Sequence, residues 1–196
     1  MPPEPVRLRR IRLPLRTARL LLRAPRPSDA RVLAKAFSNR EITRTLPLWP
    51  RYTLADARQF IARARKGIAS GERYPLHCTL SDTGELVGGA GLEVRSLRDR
   101  RGHLGYWVER EHWGHGYASE AASRLCEEAF GTLRLHRLET GIVEGNARSR
   151  AVLTRLGFRS EGFDRDQWLI DGEYRRGERF GLLADEFHPY RRPPGS

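Results

Sequence analysis

Residues 103–130 read HLGYWVEREHWGHGYASEAASRLCEEAF, and this stretch decides the fold. Its first part, residues 103–109, has the apolar and aromatic composition of a β-strand. From residue 116 to 130, apolar residues recur at intervals of three and four, which predicts an α-helix with one buried face. Gly114 and Gly116 stand where the strand turns into the helix, so several backbone amides can point at one spot beside the positive helix end. Such a nest suits a pyrophosphate, although a plain tight turn would use the same glycines.

The rest of the chain alternates strands and helices around this unit. Further strands are predicted over residues 17–24, 74–80, 85–94, 137–143 and 174–183. Further helices are predicted over residues 27–38, 53–70 and 146–156, with Ser28, Thr53 and Asn146 as N-caps. This order predicts a mixed α/β domain over residues 17–187, preceded by a flexible basic arm, 1–16, and followed by a tail, 188–196.

Composition narrows the class of protein. The chain has 196 residues, 39% of them hydrophobic, enough for one globular core. No run of about 18 apolar residues appears and the start lacks a secretory signal, so we expect a cytoplasmic protein without a membrane partner. The cysteines, Cys78 and Cys126, are too few for a disulfide framework or a metal cluster, and the sequence predicts no metal site.

The net charge of +12 comes almost entirely from arginine. A basic field attracts polyanions, which include nucleic acid, the ribosome and a phosphate-rich cofactor. Arginine-rich surfaces also arise from a biased genome composition. The charge by itself therefore separates none of these possibilities.

Residues 113–121, WGHGYASEA, resemble the acetyl-CoA-binding motif of the GNAT N-acetyltransferases, and most closely the RimJ/RimL branch of ribosomal-protein alanine N-acetyltransferases. Other matches are TARLLLR (17–23), SDA (28–30), GELVG (84–88), GYWV (105–108), LHRLE (135–139), NARS (146–149), LGF (156–158), EG (161–162) and LIDGEY (169–174). The resemblance implies a GNAT fold, in which a central, mostly antiparallel, splayed β-sheet is flanked by helices. It also implies an acetyltransferase that uses acetyl-CoA as cosubstrate.

The resemblance also implies which residues hold the cofactor. One strand segment pairs with the pantetheine arm, the glycine-containing nest holds the pyrophosphate, and the start of the 146–156 helix reaches the sulfur region. These residues are Tyr106, Trp107, Val108, Gly114, His115, Gly116, Tyr117, Ala118, Asn146 and Ser149. His115 stands where the family usually carries Lys or Arg, so the phosphate site loses one fixed positive charge.

Three residues are candidates for proton transfer. Many GNAT enzymes protonate the leaving thiolate with a tyrosine four residues before the glycine of the Gly-Phe pair, but this chain has Leu153 there. The branch resemblance suggests Ser149 as the acid instead, although its hydroxyl would also suit cofactor or backbone binding alone. Glu161 matches the branch's proposed base. His103 begins the splayed strand and titrates near neutral pH, so it is the second candidate base. The resemblance favours Glu161 over His103 as the base. Each of the two could instead be an ordinary surface residue without a part in catalysis.

The acceptor is the least defined part of the prediction. Trp49, in the proline-broken apolar loop over residues 45–50, and Tyr106 are candidates for substrate binding. The acceptor is expected to be a primary amine, on a protein N-terminus or a small molecule, with a ribosome or ribosomal protein as a possible partner. A ribosome- or RNA-associated binding protein on the same scaffold is the alternative function. The protein is expected to be a monomer or a homodimer.

Overall fold

The computed structural model describes residues 9–46 and 51–191, which form an open sheet with helices on both faces. The strands are β1 (Leu15–Arg16), β2 (Leu20–Arg23), β3 (Arg73–Leu80), β4 (Leu86–Ser96), β5 (Arg101–Val108), β6 (Arg137–Val143), β7 (Arg159–Ile170) and β8 (Glu173–Leu183). The α-helices are α1 (Ala30–Ala36), α2 (Arg40–Thr43), α3 (Leu54–Ser70), α4 (Tyr117–Glu127) and α5 (Ala147–Arg155).

The strands lie in the order β1-β2-β3-β4-β5-β6-β8-β7. Every described pair of neighbours is antiparallel except β5 and β6, which are parallel. Parallel neighbours need a crossover connection, and α4 provides it. The predicted mixed α/β fold with a mostly antiparallel central sheet is therefore confirmed.

Two clusters of apolar side chains hold the helices to the sheet. One cluster joins α4 to the strands and includes Leu104, Leu125 and Leu138, each with no exposed surface. The other joins α1, α2 and α3 to the opposite face and includes Leu33 and Ile61. Full burial of one leucine side chain contributes roughly 1.5–3 kcal/mol, so the two clusters fix the sheet between the helix layers.

A buried polar group lies under α1 and α3. His77 Nδ1 is 2.7 Å from Asp29 Oδ2, and both residues are almost fully buried. Burial lowers the pKa of His77. Burial also opposes charge on Asp29, but hydrogen bonds from Arg23, the amide of Arg26 and His77 hold the pKa of that carboxyl well below its usual range. The buried pair therefore consists of a neutral His77 imidazole beside a charged Asp29 carboxylate.

Two of the predicted N-caps are present in the structure and one is not. The capping box of α3 is present, with Thr53 accepting from the amide of Asp56, and Asn146 caps α5 by accepting from the amide of Ser149. Ser28 is not an N-cap, because Asp29 accepts the amide of Arg26 at 2.7 Å and a 3-10 turn precedes α1. The helix α2 was not predicted, since four residues are too few to show a periodicity.

The structure corrects both predicted domain limits. Ile11 and Leu15 are buried in the core, and β1 pairs with β2, so the flexible arm does not extend to residue 16. Ile11 and Leu15 point inward, while the neighbouring Arg12 and Arg16 stay exposed. At the other end, the amide of Tyr190 donates to Ser123 Oγ at 2.9 Å, so the domain continues past residue 187.

Candidate active site

The cleft of the molecule opens where β5 and β6 part. The two strands pair at three positions, Arg101–Arg137, Gly102–Leu138 and His103–Glu139. Beyond them β5 runs on to Val108 beside β4, and β6 runs on to Val143 beside β8. Their facing backbone edges are left without a partner strand, and a cleft of about 710 Å³ lies between them. An extended ligand with amide groups would find unpaired donors and acceptors there.

The glycine nest lies at one end of this cleft. Gly114 and Gly116 have positive φ angles of 85° and 78°, which non-glycine residues adopt only with strain. Gly116 is the N-cap of α4, whose first amides have no partner within the helix. Gly114, Gly116, Tyr117 and Ala118 line the cleft. These amides and the helix dipole make this end suitable for an anion.

Contacts with the start of β2 hold the first turn of α4 in place. Glu120 is buried and accepts hydrogen bonds from Thr17 Oγ1 at 2.6 Å and from Arg19 Nε at 2.8 Å. The Arg19 guanidinium also lies 4.6 Å over the ring of Tyr117. The TARL segment and the nest, about 100 residues apart in sequence, therefore form one unit.

Asn146, Ser149 and Tyr106 meet on the α4 side of the cleft. Asn146 Oδ1 accepts from the Ser149 amide at 3.2 Å, and Tyr106 Oη donates to the Ser149 carbonyl at 3.2 Å. Burial raises the pKa of Tyr106, so its phenol is neutral at physiological pH. All three residues line the cleft, whereas Leu153 is fully buried in the core.

His103 lies where the strands begin to part. Its register partner is Glu139, so both side chains face away from α4, because Leu104 and Leu138 are buried on the α4 side. Burial and the nearby Arg95 lower the pKa of His103, although Glu93 and Glu139 oppose the shift. Its imidazole is therefore neutral and able to accept a proton at neutral pH.

Glu161 is held differently from His103. Its carboxylate accepts from both terminal nitrogens of Arg137, one of them at 2.7 Å, and these hydrogen bonds lower its pKa. Glu161 lines a second cavity of about 410 Å³ and not the main cleft. His103 and Trp168 line both cavities, so the two cavities adjoin where β5 and β6 part.

Some residues that line the cleft were not singled out from sequence. Trp168 lies against Gly141 and Gly177, where an added Cβ would come within 3.2 Å and 3.0 Å of its ring. Arg148 and Arg155 also line the cleft, and Arg155 Nη1 donates to Ser119 Oγ at 3.0 Å. The signal for Arg148 was its place directly before Ser149 in the NARS motif.

Trp49 lies outside the described residues, so its role at the acceptor mouth stays a prediction; Thr45 and Leu46, nearby in sequence, line the cleft. The His115 side chain is exposed and stacks on Tyr117, with ring centroids 5.6 Å apart. The expected contact of His115 therefore involves its backbone amide.

Cys78 and Cys126 are buried, neither thiol lines the cleft, and burial raises the pKa of Cys78 to about 12. Residues 9–46 and 51–191 bring no three His, Cys, Asp or Glu side chains together as metal ligands. Over the same ranges, no helix has the length and apolar character needed to cross a membrane.

Comparison with known proteins gives consistent matches along the chain. The acetyltransferase (GNAT) domain family matches residues 19–159. The uncharacterized N-acetyltransferase p20 of Bacillus licheniformis is 31% identical over 173 residues, covering 88% of this chain and 97% of that protein. The ribosomal protein uS5-alanine N-acetyltransferase of Escherichia coli is 33% identical over 89 residues, covering 45% of this chain and 46% of that enzyme. The structure of Mycobacterium smegmatis RimJ in complex with CoA-disulfide aligns with a TM-score of 0.77 at 26% identity, covering 85% of this chain and 83% of RimJ.

Proposed function

This chain belongs to the GNAT acetyltransferase family, and we propose that it transfers the acetyl group of acetyl-CoA directly to a primary amine of a protein N-terminus or a small molecule. The observation that carries the proposal is the continuous cleft. It joins a helix start with free amides, which suits an anion, to a splayed strand pair, and residues from both faces of the sheet line it. A long cosubstrate with phosphates at one end and a reactive thioester at the other matches this shape.

The cofactor would occupy the α4 side of the cleft. Its pyrophosphate would accept hydrogen bonds from the amides of residues 114–118, and its pantetheine arm would pair with the free edge of residues 106–108. Asn146 and Ser149 would contact the arm near the sulfur. This assignment is supported by the lining of the cleft and by the CoA-disulfide bound to the RimJ relative.

The acceptor would approach from the opposite face, where His103 and Trp168 lie. The amine nitrogen attacks the thioester carbon, a C–N bond forms and the C–S bond breaks. The amine gives up a proton to His103, and the leaving thiolate receives one from Ser149, which solvent then restores. A backbone amide of β5 would stabilise the carbonyl oxygen. Because no covalent enzyme intermediate is needed, positioning and electrostatics supply most of the rate.

For the base, we propose His103 ahead of Glu161. Burial and Arg95 lower the pKa of His103, so its imidazole is uncharged at neutral pH and has a free nitrogen to take a proton, while two hydrogen bonds from Arg137 lower the pKa of the Glu161 carboxylate and make it a weaker base still. This reverses the order that the family resemblance suggested. The acceptor's face also carries the paired charges of Arg137, Glu139 and Glu161, which suits a polar acceptor.

This chain is similar to the ribosomal protein uS5-alanine N-acetyltransferase, so peptides with an N-terminal alanine are the first acceptors to test. Thiol release from acetyl-CoA would be followed with peptides that start with Ala or Ser and with small amines. Peptides with a blocked N-terminus would serve as controls. Acceptor-dependent release and a mass increase of one acetyl group are expected. Absence of CoA binding together with strong, salt-sensitive RNA binding would favour the alternative RNA-associated function instead.

A further inference from the structure

Trp113 lies between two guanidinium groups at the phosphate end of the cleft. Arg148 lies 4.5 Å from the centre of its ring, and Arg110 lies 4.8 Å from it. The indole is held in place because Trp113 Nε1 donates to the carbonyl of Val108 at 2.8 Å. The connection between β5 and α4 therefore carries a fixed aromatic platform for two cations.

The two arginines differ in what neutralises them. Arg110 forms an ion pair with Glu41 on α2. For Arg148, the described part of the chain provides no carboxylate within ion-pair distance, and its side chain lines the cleft. A guanidinium stacked on an aromatic ring keeps its in-plane N–H groups free to donate. Arg148 is thus an oriented, uncompensated donor beside the cleft.

Arg148 lies beside the glycine nest, which lacks a fixed positive charge of its own. Trp113 directly precedes Gly114 in the chain, so the platform borders the nest. The side chain between the two glycines is His115, which is exposed and stacks on Tyr117. Arg148 on α5 therefore places a positive charge at this end of the cleft that the glycine loop does not supply, whereas Arg19, which lies near Gly116, is paired with Glu120.

We infer that Arg148, held on Trp113, donates to the pyrophosphate of the cofactor and supplies the positive charge that His115 does not. The inference rests on the proposed use of acetyl-CoA. Arginine binds phosphate oxygens with two parallel N–H donors, which lysine cannot reproduce. Arg148 therefore contributes to affinity through both its charge and its planar geometry.

The test is calorimetry of CoA and of dephospho-CoA, which keeps the pyrophosphate and lacks the 3′-phosphate. Arg148→Ala should weaken both by the same factor, roughly ten- to hundred-fold, as expected for loss of a charge-assisted contact. The affinities of Arg148→Lys for both ligands should lie between those of Arg148→Ala and those of the wild type. Arg58→Ala, an exposed arginine on α3, is the matched control and should leave both affinities unchanged. Since Arg148 is exposed, loss of its stacking on Trp113 should lower the unfolding midpoint by no more than about 4 °C.

Salt separates a direct ionic contact from an indirect effect. Wild-type affinity should fall more steeply with salt than that of Arg148→Ala, because the variant has one ionic contact fewer. Unchanged CoA affinity in Arg148→Ala, an unchanged salt dependence, or a loss confined to CoA would each overturn the inference. Failure of the wild-type protein to bind CoA would instead refute the proposed function.

Discussion

Replacing His103 with glutamine removes a titratable nitrogen and keeps a polar side chain at the splay. If His103 is the base, this change should lower kcat/KM at pH 7.5 by about a hundred-fold. General base catalysis contributes about 10²–10⁴-fold. We expect the lower end, since no hydrogen bond within the described residues orients the His103 ring and the amine can also lose its proton to solvent.

Glu161→Gln is the matched comparison. It removes a charge from the same side of the sheet and breaks the partly exposed pair with Arg137. If Glu161 takes no part in proton transfer, kcat/KM should change by less than about five-fold, and loss of the exposed pair should lower the free energy of unfolding by up to about 1 kcal/mol. Both variants should be compared at equal folded fraction, measured by circular dichroism.

The pH dependence gives an independent signature. Because burial and Arg95 lower the pKa of His103 below its ordinary value, the base is deprotonated at neutral pH. Wild-type kcat/KM should therefore lose the contribution of the base only below about pH 6.5, the reference value for histidine. In His103→Gln this acidic limb should disappear, leaving the titration of the amine. The assignment would be refuted if kcat/KM fell five-fold or less in His103→Gln. It would also be refuted if kcat/KM fell more in Glu161→Gln than in His103→Gln.

Three further outcomes follow from the geometry. Ser149→Ala should lower kcat more than CoA affinity, measured by steady-state kinetics and calorimetry, and equal losses would mean that Ser149 only binds. Gly114→Ala, at a φ of 85°, should reduce the free energy of unfolding in urea by about 1–2 kcal/mol and weaken CoA binding at least about ten-fold; unchanged CoA binding would contradict the nest. His77, whose folded pKa is lowered, takes up a proton on unfolding below about pH 6.5, so stability should fall as the pH decreases from there. His77→Gln should flatten that slope in urea melts, and an unchanged slope would show that other groups cause it.

Local signals in the sequence predicted a large part of the fold. The capping box of Thr53 and Asp56, the Asn146 cap and the 3.6-residue periodicity of α4 involve residues within a few positions of each other. Their hydrogen bonds and buried faces form in any context that keeps the helix. The Gly114–Gly116 turn belongs to the same class, because positive φ angles are a local requirement.

The tertiary structure alone decided how distant charges and aromatic rings pair. Glu161 and Arg137 are 24 residues apart, and their pairing weakened a base that motif matching had favoured. Trp113 lies in the connection between β5 and α4 and Arg148 lies on α5, and their stacking follows from the way these two parts of the chain meet beside the cleft. Sequence spacing does not encode such contacts, since the registers of β6 and β7 against β8 and the packing of the helices bring them together. Residue types determined which chemistry was possible here, and long-range packing determined which side chains are free to perform it.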